Sequence, residues 1–395
     1  MNETFFAPCP RGLENALATE LGLLGAVAPK TSSGGVHFHG ELSLAYRVNL
    51  ESRLASRVLW HITRQPYRNE HDIYTIAYDI DWTRYFTAER TLRIDLAATH
   101  SPLTSLTYAT LRIKDAVCDR FRAEGLERPF IDKQSPDVRV YAYLSEDEAT
   151  IYLDTSGEAL FKRGYRLHNE EAPLRENLAA GLLTLAGWTP DVPLFDPMCG
   201  GGTIAIEAAL IAARQAPGLK RSFSFQKLNW FDGPTWQRLK QRARDAVRTA
   251  PESPMIFAGD ISESAVEHAI ACAAHINVAD WINFSVADVR HREAPAPAGV
   301  WLTNPPYGVR LEDSDILAAL YPALGTTLKK HFAGWHAWIF SSDSLLPKLI
   351  GLKPERRIPL FNGALDCRLY GFKMVKGSMR RIKPPRPKLP APALP

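Results

Sequence analysis

The sequence predicts an α/β chain: a mostly parallel seven-stranded sheet with a closing antiparallel hairpin, preceded by an α+β region. Three observations predict it. Beyond about residue 160, short apolar runs alternate with helix-like stretches in the βαβ manner that gives a parallel sheet covered on both faces. Successive runs there stop at Asp196, Asp260, Asp288 and Asn304, which puts polar groups where open α/β sheets bind ligands, beyond the carboxyl ends of their strands. Before residue 160, by contrast, short strands of alternating polarity are interspersed with helices.

Taken in order, the strands expected in the first region are residues 35–38, 92–96, 138–143 and 150–153. The last two flank Ser145-Glu146-Asp147-Glu148, which reads as a hairpin turn. A linking stretch, 161–173, leads to the second region. Its strands are expected at 192–195, 255–258, 282–286, 300–303 and 336–340, with 356–360 and 366–372 as the hairpin around Phe361-Asn362-Gly363-Ala364. The tail from Lys376 is rich in proline, lysine and arginine, buries too little apolar surface to offset its chain entropy, and is expected to be disordered. The 395 residues thus divide at 1–44, 45–155, 156–375 and 376–395, with no internal repeat.

With 46% hydrophobic and 23% charged residues, the composition is that of an ordinary globular protein. The N-terminus lacks a basic region followed by an apolar core, so no signal peptide is expected. No apolar run reaches the roughly 18 residues of a membrane span. Cys9, Cys118, Cys199, Cys272 and Cys367 are far apart and odd in number, which fits neither a disulfide framework nor zinc-ligand spacing. A reducing cytoplasm is the simplest setting. His37, His39 and His275 are scattered, and no metal is assigned. The net charge of +4 is more than accounted for by Lys373, Lys376, Arg380, Arg381, Lys383, Arg386 and Lys388, so whole-chain basicity says little about nucleic acid.

Asp196-Pro197-Met198-Cys199-Gly200-Gly201-Gly202-Thr203 follows a short strand and opens a long apolar helix. Glycines there let the backbone approach a ligand closely, and the helix N-terminus adds N–H groups. A tight structural turn is an open reading of the same residues, and Gly200, Gly202 and Ala205 also match the dinucleotide pattern G-x-G-x-x-A. Against a dinucleotide, Asp196 would set a carboxylate near the pyrophosphate, and the acid expected some 20 residues on is missing. Carboxylates gathered with backbone N–H groups suit S-adenosylmethionine, which carries an amino acid, a ribose and no phosphate. Asp260 and Asp288 each read, alone, as solvated loop residues or helix caps, with Ser262 ready to cap the helix after Asp260. The recurrence over four strand ends favours a ligand.

Asn304-Pro305-Pro306-Tyr307 follows the apolar run Val300-Trp301-Leu302-Thr303. An exocyclic amine or amide nitrogen is a poor nucleophile because its lone pair is delocalised. Acceptors aimed at its N–H bonds return density to nitrogen, and the Asn304 side-chain carbonyl and Pro305 backbone carbonyl are suitable, with the two prolines fixing φ. Tyr307 can stack on a planar substrate. Cys199 reads better as a small packed residue than as a nucleophile, since no cysteine accompanies the tetrapeptide. Basic segments that could meet RNA phosphates are 112–122 (with Lys114), 162–166 and 238–248, each equally readable as a solvated charged face. Lys162-Arg163-Gly164-Tyr165-Arg166 interleaves aromatic and basic residues and is the strongest of them.

With these motifs the sequence resembles the class I S-adenosylmethionine-dependent amino-methyltransferases, which have a Rossmann-like sheet. Residues 5–14, the stretch around Lys162 to Arg166, Ala172-Pro173-Leu174-Arg175-Glu176 and residues 362–367 extend the resemblance to the THUMP-domain RNA methyltransferases. Within them it is nearest to the branch that modifies guanine N2 in bacterial 23S rRNA, over roughly residues 3–375. The resemblance implies a ferredoxin-like segment at 1–44, a THUMP module at 45–155, both handling RNA, and the methyltransferase domain at 156–375. It further implies that Asp260 binds the cofactor ribose, that Asp288 meets the adenine amino group, and that Pro173, Leu174 and Arg175 lie beside the cofactor. Some relatives carry a second methyltransferase domain, an activity expected to be absent here. Adenine-N6 or cytosine-N4 DNA methylation, glutamine methylation, and an RNA-binding protein without catalysis are the competing readings; the first 160 residues argue against a DNA target-recognition region.

Overall fold

The computed structural model describes residues 2–167, 174–306 and 313–376. Pro173, Tyr307 and the tail beyond Lys376 lie outside the described residues. The first region runs β1 (Glu3–Pro8), α1 (Glu14–Leu23), β2 (Val27–Ser32), β3 (Gly35–Gly40), α2 (Leu42–Glu51), β4 (Leu59–Pro66), α3 (Glu70–Tyr78), β5 (Leu92–Ala98), α4 (Leu106–Ala123), β6 (Val138–Leu144) and β7 (Glu148–Asp154). The second runs α5 (Glu176–Leu185), β8 (Leu194–Asp196), α6 (Thr203–Ala212), α7 (Gly233–Asp245), β9 (Ile256–Asp260), α8 (Glu263–His275), β10 (Ile282–Val286), β11 (Val300–Thr303), α9 (Asp313–His331), β12 (His336–Ser341), α10 (Leu346–Ile350), β13 (Arg356–Asn362) and β14 (Leu365–Lys373). No helix among the described residues is long and apolar enough to cross a membrane.

The first region forms one seven-stranded sheet, β2-β3-β1-β4-β7-β6-β5. Phe5, Val36, Phe38, Val140 and Ala142 turn to its buried side, while Phe6, His37 and Tyr141 alternate to the other. β4 hydrogen-bonds β1 on one side and β7 on the other, so the sheet is continuous across the expected boundary at residues 44 and 45. That boundary falls inside α2, where Leu44, Ala45, Tyr46, Val48, Asn49 and Leu50 are buried around most of the helix. Side-chain caps start α3 and α4: the Asn69 side chain accepts from the His71 and Asp72 N–H groups at α3, and the Ser105 hydroxyl accepts from Tyr108 N at α4.

The second sheet has the order β10-β9-β8-β11-β12-β14-β13, parallel except for β14 and β13. α6 is buried on nearly every side, as its largely apolar sequence requires, with Glu207 buried among the apolar residues. Tyr46 joins the two regions: its ring stacks on Phe225 at 4.5 Å and Trp230 at 5.4 Å, and its hydroxyl accepts from Asp232 N at 2.8 Å. At a second joint, Arg11 lies 4.1 Å over the Phe361 ring, and Gly12, at φ +96°, approaches so closely that a Cβ would stand 2.6 Å from the Pro359 carbonyl.

Candidate active site

β8 ends at Asp196, and the chain turns through residues 197–202 into α6. Gly200 and Gly202 have φ of +50° and +78°. A Cβ on Gly202 would lie 2.8 Å from that of Ala269 on α8, so both the conformation and the close helix demand glycine. The loop is tied to β9 by Cys199 N donating to Gly259 O at 2.8 Å and Gly200 N to Asp260 Oδ2 at 2.9 Å. Asp260 Oδ1 accepts from Ser262 N at 3.0 Å, and the Ser262 hydroxyl caps α8.

Asp196 lies beneath this loop. It is 1% exposed, and its Oδ1 accepts the Thr303 hydroxyl at 2.9 Å and, more weakly, Met198 N at 3.4 Å. Burial pushes its carboxyl up to about 7, with the Asp260 charge adding to the rise and the Thr303 bond opposing it. Asp196 therefore clamps the end of β11, one residue before Asn304, to the glycine loop. Burial also raises the Cys199 thiol, with Asp196 and Asp260 adding to the shift, so this cysteine is a packed, un-ionised residue.

β8 and β11 are neighbours although β9 and β10 intervene in sequence, so the winding reverses between them, and the cleft that results is the expected binding place. A cavity of about 630 Å³ opens there. Its wall takes Pro197, Met198 and Gly200 from the loop, Asp260 and Ile261 from the end of β9, Asp288 from beyond β10, Asn304 and Pro306 from beyond β11, and Leu320 from α9. Asn304 is half-buried and Pro306 exposed. Asp288 Oδ1 accepts from Arg290 N and Oδ2 from Arg290 Nε, each at 2.8 Å, and these bonds hold its carboxyl below the usual range.

The four strand-end residues expected from sequence thus converge, with Asp196 below the cavity rather than on it. Leu174, Arg175, Cys199, Gly202 and Thr203 are not among its described lining residues. Leu174 is buried, and Arg175 lies 4.9 Å over the Phe161 ring.

The expected RNA contacts need correction. Arg163 and Tyr165 are 2% and 1% exposed, and Arg163 is ion-paired with the equally buried Glu207 of α6, so neither reaches RNA. Arg166 is a brace: its guanidinium donates to Glu176 Oε1 at 2.8 Å, Leu174 O at 2.6 Å and the Thr203 hydroxyl at 3.2 Å. Lys162 stays exposed beside Glu158, and Lys114 pairs with Asp115.

Sequence reasoning missed Thr303, Arg290, Val289 and Ile261. Ile261 carried a signal, an apolar residue directly after a strand-end acid, and it stands 68% exposed at the cavity.

Comparison with known proteins bears on this geometry. A family model described as "RMKL-like, methyltransferase domain" matches residues 163–371, a THUMP domain model matches 67–154, and an RlmL ferredoxin-like domain model matches 4–59. Ribosomal RNA large subunit methyltransferase K/L of Aeromonas hydrophila subsp. hydrophila is 38% identical over 398 residues, covering 96% of this chain and 55% of its own length. The chain spans about half the length of the curated relatives it matches. Among solved structures, a possible methylase from Clostridium difficile 630 is 31% identical with a TM-score of 0.87, covering 96% of this chain and all of that one. A putative methyltransferase complexed with SAH is 28% identical with a TM-score of 0.86, covering 95% and 99%.

Proposed function

The chain belongs to the family of RMKL-like methyltransferase domains, and we propose that it transfers a methyl group from S-adenosylmethionine to the exocyclic N2 amino group of a guanine in 23S ribosomal RNA. One arrangement carries this reading: Asn304 and Pro306 share a cavity wall with Asp260, Asp288 and Ile261. The THUMP match and the large-subunit ribosomal RNA methyltransferases among its relatives support the choice of RNA.

The residues present fit the cofactor. At about 630 Å³ the cavity is of ordinary ligand size. Asp260 would hold the ribose hydroxyls, Ile261 and Val289 would offer apolar faces to the adenine, and Asp288 would accept from its amino group. When bound, S-adenosylmethionine supplies an electrophilic sulfonium methyl group.

The chain's own residues act on the amine. The guanine leaves its stack at a cost of about a few kcal/mol, least in a loop or loosened helix. The Asn304 side-chain carbonyl and the Pro305 carbonyl accept its two N–H bonds and restore density to nitrogen. The Thr303–Asp196 bond keeps the end of β11 fixed while this happens. Positioning supplies most of the acceleration, and no strong base is needed, because the nitrogen becomes acidic only after methylation and then gives its proton to water. All five cysteines are buried free thiols, in keeping with a reducing cytoplasm.

The test is to incubate the protein with labelled S-adenosylmethionine and total RNA from a strain lacking it, then identify the nucleoside by mass spectrometry. N2-methylguanosine is expected. N6-methyladenosine would overturn the substrate half of the reading.

A further inference from the structure

Two arginines of the linking stretch grip the start of α6. Arg163 pairs with Glu207 at 3.3 Å, and Arg166 donates to the Thr203 hydroxyl at 3.2 Å. Thr203 and Glu207 are four residues apart and share one face of the helix, so its first turn is held at two points. Arg163 also donates to the Arg53 carbonyl at 2.6 Å, which ties this grip to the N-terminal region.

The charge of Arg163 is met by a carboxylate as deeply buried as itself. Arg166 stands differently. Its guanidinium lies where the starts of α5 and α6 meet, donating to Leu174 O just before α5, to Glu176 in the first turn of α5 and to Thr203, the first residue of α6. A helix start is already electropositive, because its first N–H groups have no carbonyl of their own helix to accept them, and helix stability favours anions there and cations at the other end. Glu176 answers this at α5. At α6 neither the cap, Gly202, nor the first turn supplies an acid. Arg166 therefore adds positive charge to a helix start that lacks a negative one, a placement that stability alone would not select.

We propose that Arg166 is a positioning residue for the amino-acid end of S-adenosylmethionine: by holding Thr203 and adding its field to the start of α6, it readies the glycine loop for the cofactor's carboxylate. The inference rests on the cofactor reading above and deepens it. Strand order supports the assignment, because β10, β9 and β8 lie side by side and end at Asp288, Asp260 and the glycine loop. With the adenine at the first and the ribose at the second, the amino acid falls to the third. Arg166 is not among the described lining residues of the cavity, so it acts through α6 and not by touching the cofactor. Its side chain is 20% exposed, and a charge so placed is screened less than one at the surface.

The test is calorimetric, uses the full chain without RNA, and compares S-adenosylmethionine with its decarboxylated analogue, which keeps the adenosine, the sulfonium and the amine and lacks only the carboxylate. Arg166→Met should weaken S-adenosylmethionine binding about tenfold, within the range of a partly buried charge at a helix end. The analogue should bind this variant no more weakly than it binds the parent. Arg166→Lys keeps the charge without the planar fork and should show a smaller loss, again confined to S-adenosylmethionine. Judged in Arg166→Met, or in Arg166→Lys should the former not fold, equal losses for both ligands or parent-like binding of S-adenosylmethionine would overturn the inference. Binding of S-adenosylmethionine by the parent would keep the cofactor reading in either case. A parent that bound neither ligand would remove both.

Discussion

Replacing Asp196 with asparagine tests the structure beneath the glycine loop. The folded carboxyl sits at about 7 against an ordinary 3.8, a rise of roughly three units caused chiefly by burial. At 1.36 kcal/mol per unit, ionising it in the fold costs about 4 kcal/mol relative to the unfolded chain. Below the unfolded value both states hold the proton and burial carries no charge penalty. As pH rises from there to the folded value, the unfolded chain has released its proton and the folded chain has not. The stability attributable to Asp196 therefore falls across that window and levels off above it. Asparagine does not titrate, and its amide oxygen can still accept from Thr303 and Met198. Urea unfolding of both proteins without cofactor should show the difference in stability moving in favour of Asp196→Asn by about 3 kcal/mol between about pH 5 and pH 8. Stability curves that run parallel over that range would refute the assignment of a buried, proton-retaining carboxyl.

Asn304→Ala should keep cofactor affinity by calorimetry and lower kcat by about 10²- to 10³-fold, the usual cost of losing one preorganised hydrogen-bonding group. Asp260→Ala should instead weaken cofactor binding about tenfold or more, because Gly200 and Ser262 N–H groups lose their shared acceptor along with the ribose. Gly202→Ala forces a side chain into φ +78° and to 2.8 Å from Ala269, and thermal unfolding should report a loss of about 2 to 4 kcal/mol. Arg163→Met should cost about 3 to 5 kcal/mol by removing the direct ion-pair partner of the buried Glu207, and adding Glu207→Gln should recover part of it.

What sequence could and could not show follows from the range of the forces involved. β11 was legible because a buried parallel strand is a continuous apolar run and its end is marked by proline. The acids at Asp260 and Asp288 were legible by recurrence. β2 was not: its Val27 is half exposed, Pro29 interrupts it, and it lies at a sheet edge, where neither face imposes alternation. The boundary expected at residues 44 and 45 lies inside α2, whose buried positions occur on both sides of it, with no sequence signal of a break.

Arg163 and Tyr165 show the sharper limit. Aromatic and basic residues interleaved look alike whether exposed or buried, and what buries this segment is Glu207, an acid 44 residues away on an otherwise apolar helix. That lone acid was the available signal. Arg166 is similar, since Glu176, Leu174 and Thr203, all of which it binds, come together only when the chain before α5 meets the start of α6.

The order of strands in the catalytic sheet also sets a timetable for synthesis. β14 is the last-made strand of this sheet, yet it sits between β12 and β13 and pairs with both. Until it emerges, β12 has an open edge and β13 has no neighbour to register against. The segment at Arg11 and Gly12, made first, packs on Phe361 and the Pro359–Leu360 backbone, so it too waits for the final elements. Contacts this distant in sequence form slowly, and an unpaired edge in the meantime is a template for association with other chains. This sheet is thus most exposed to misassembly just before the β13–β14 hairpin closes, and a pause or truncation ahead of β14 would be costly out of proportion to the few residues involved.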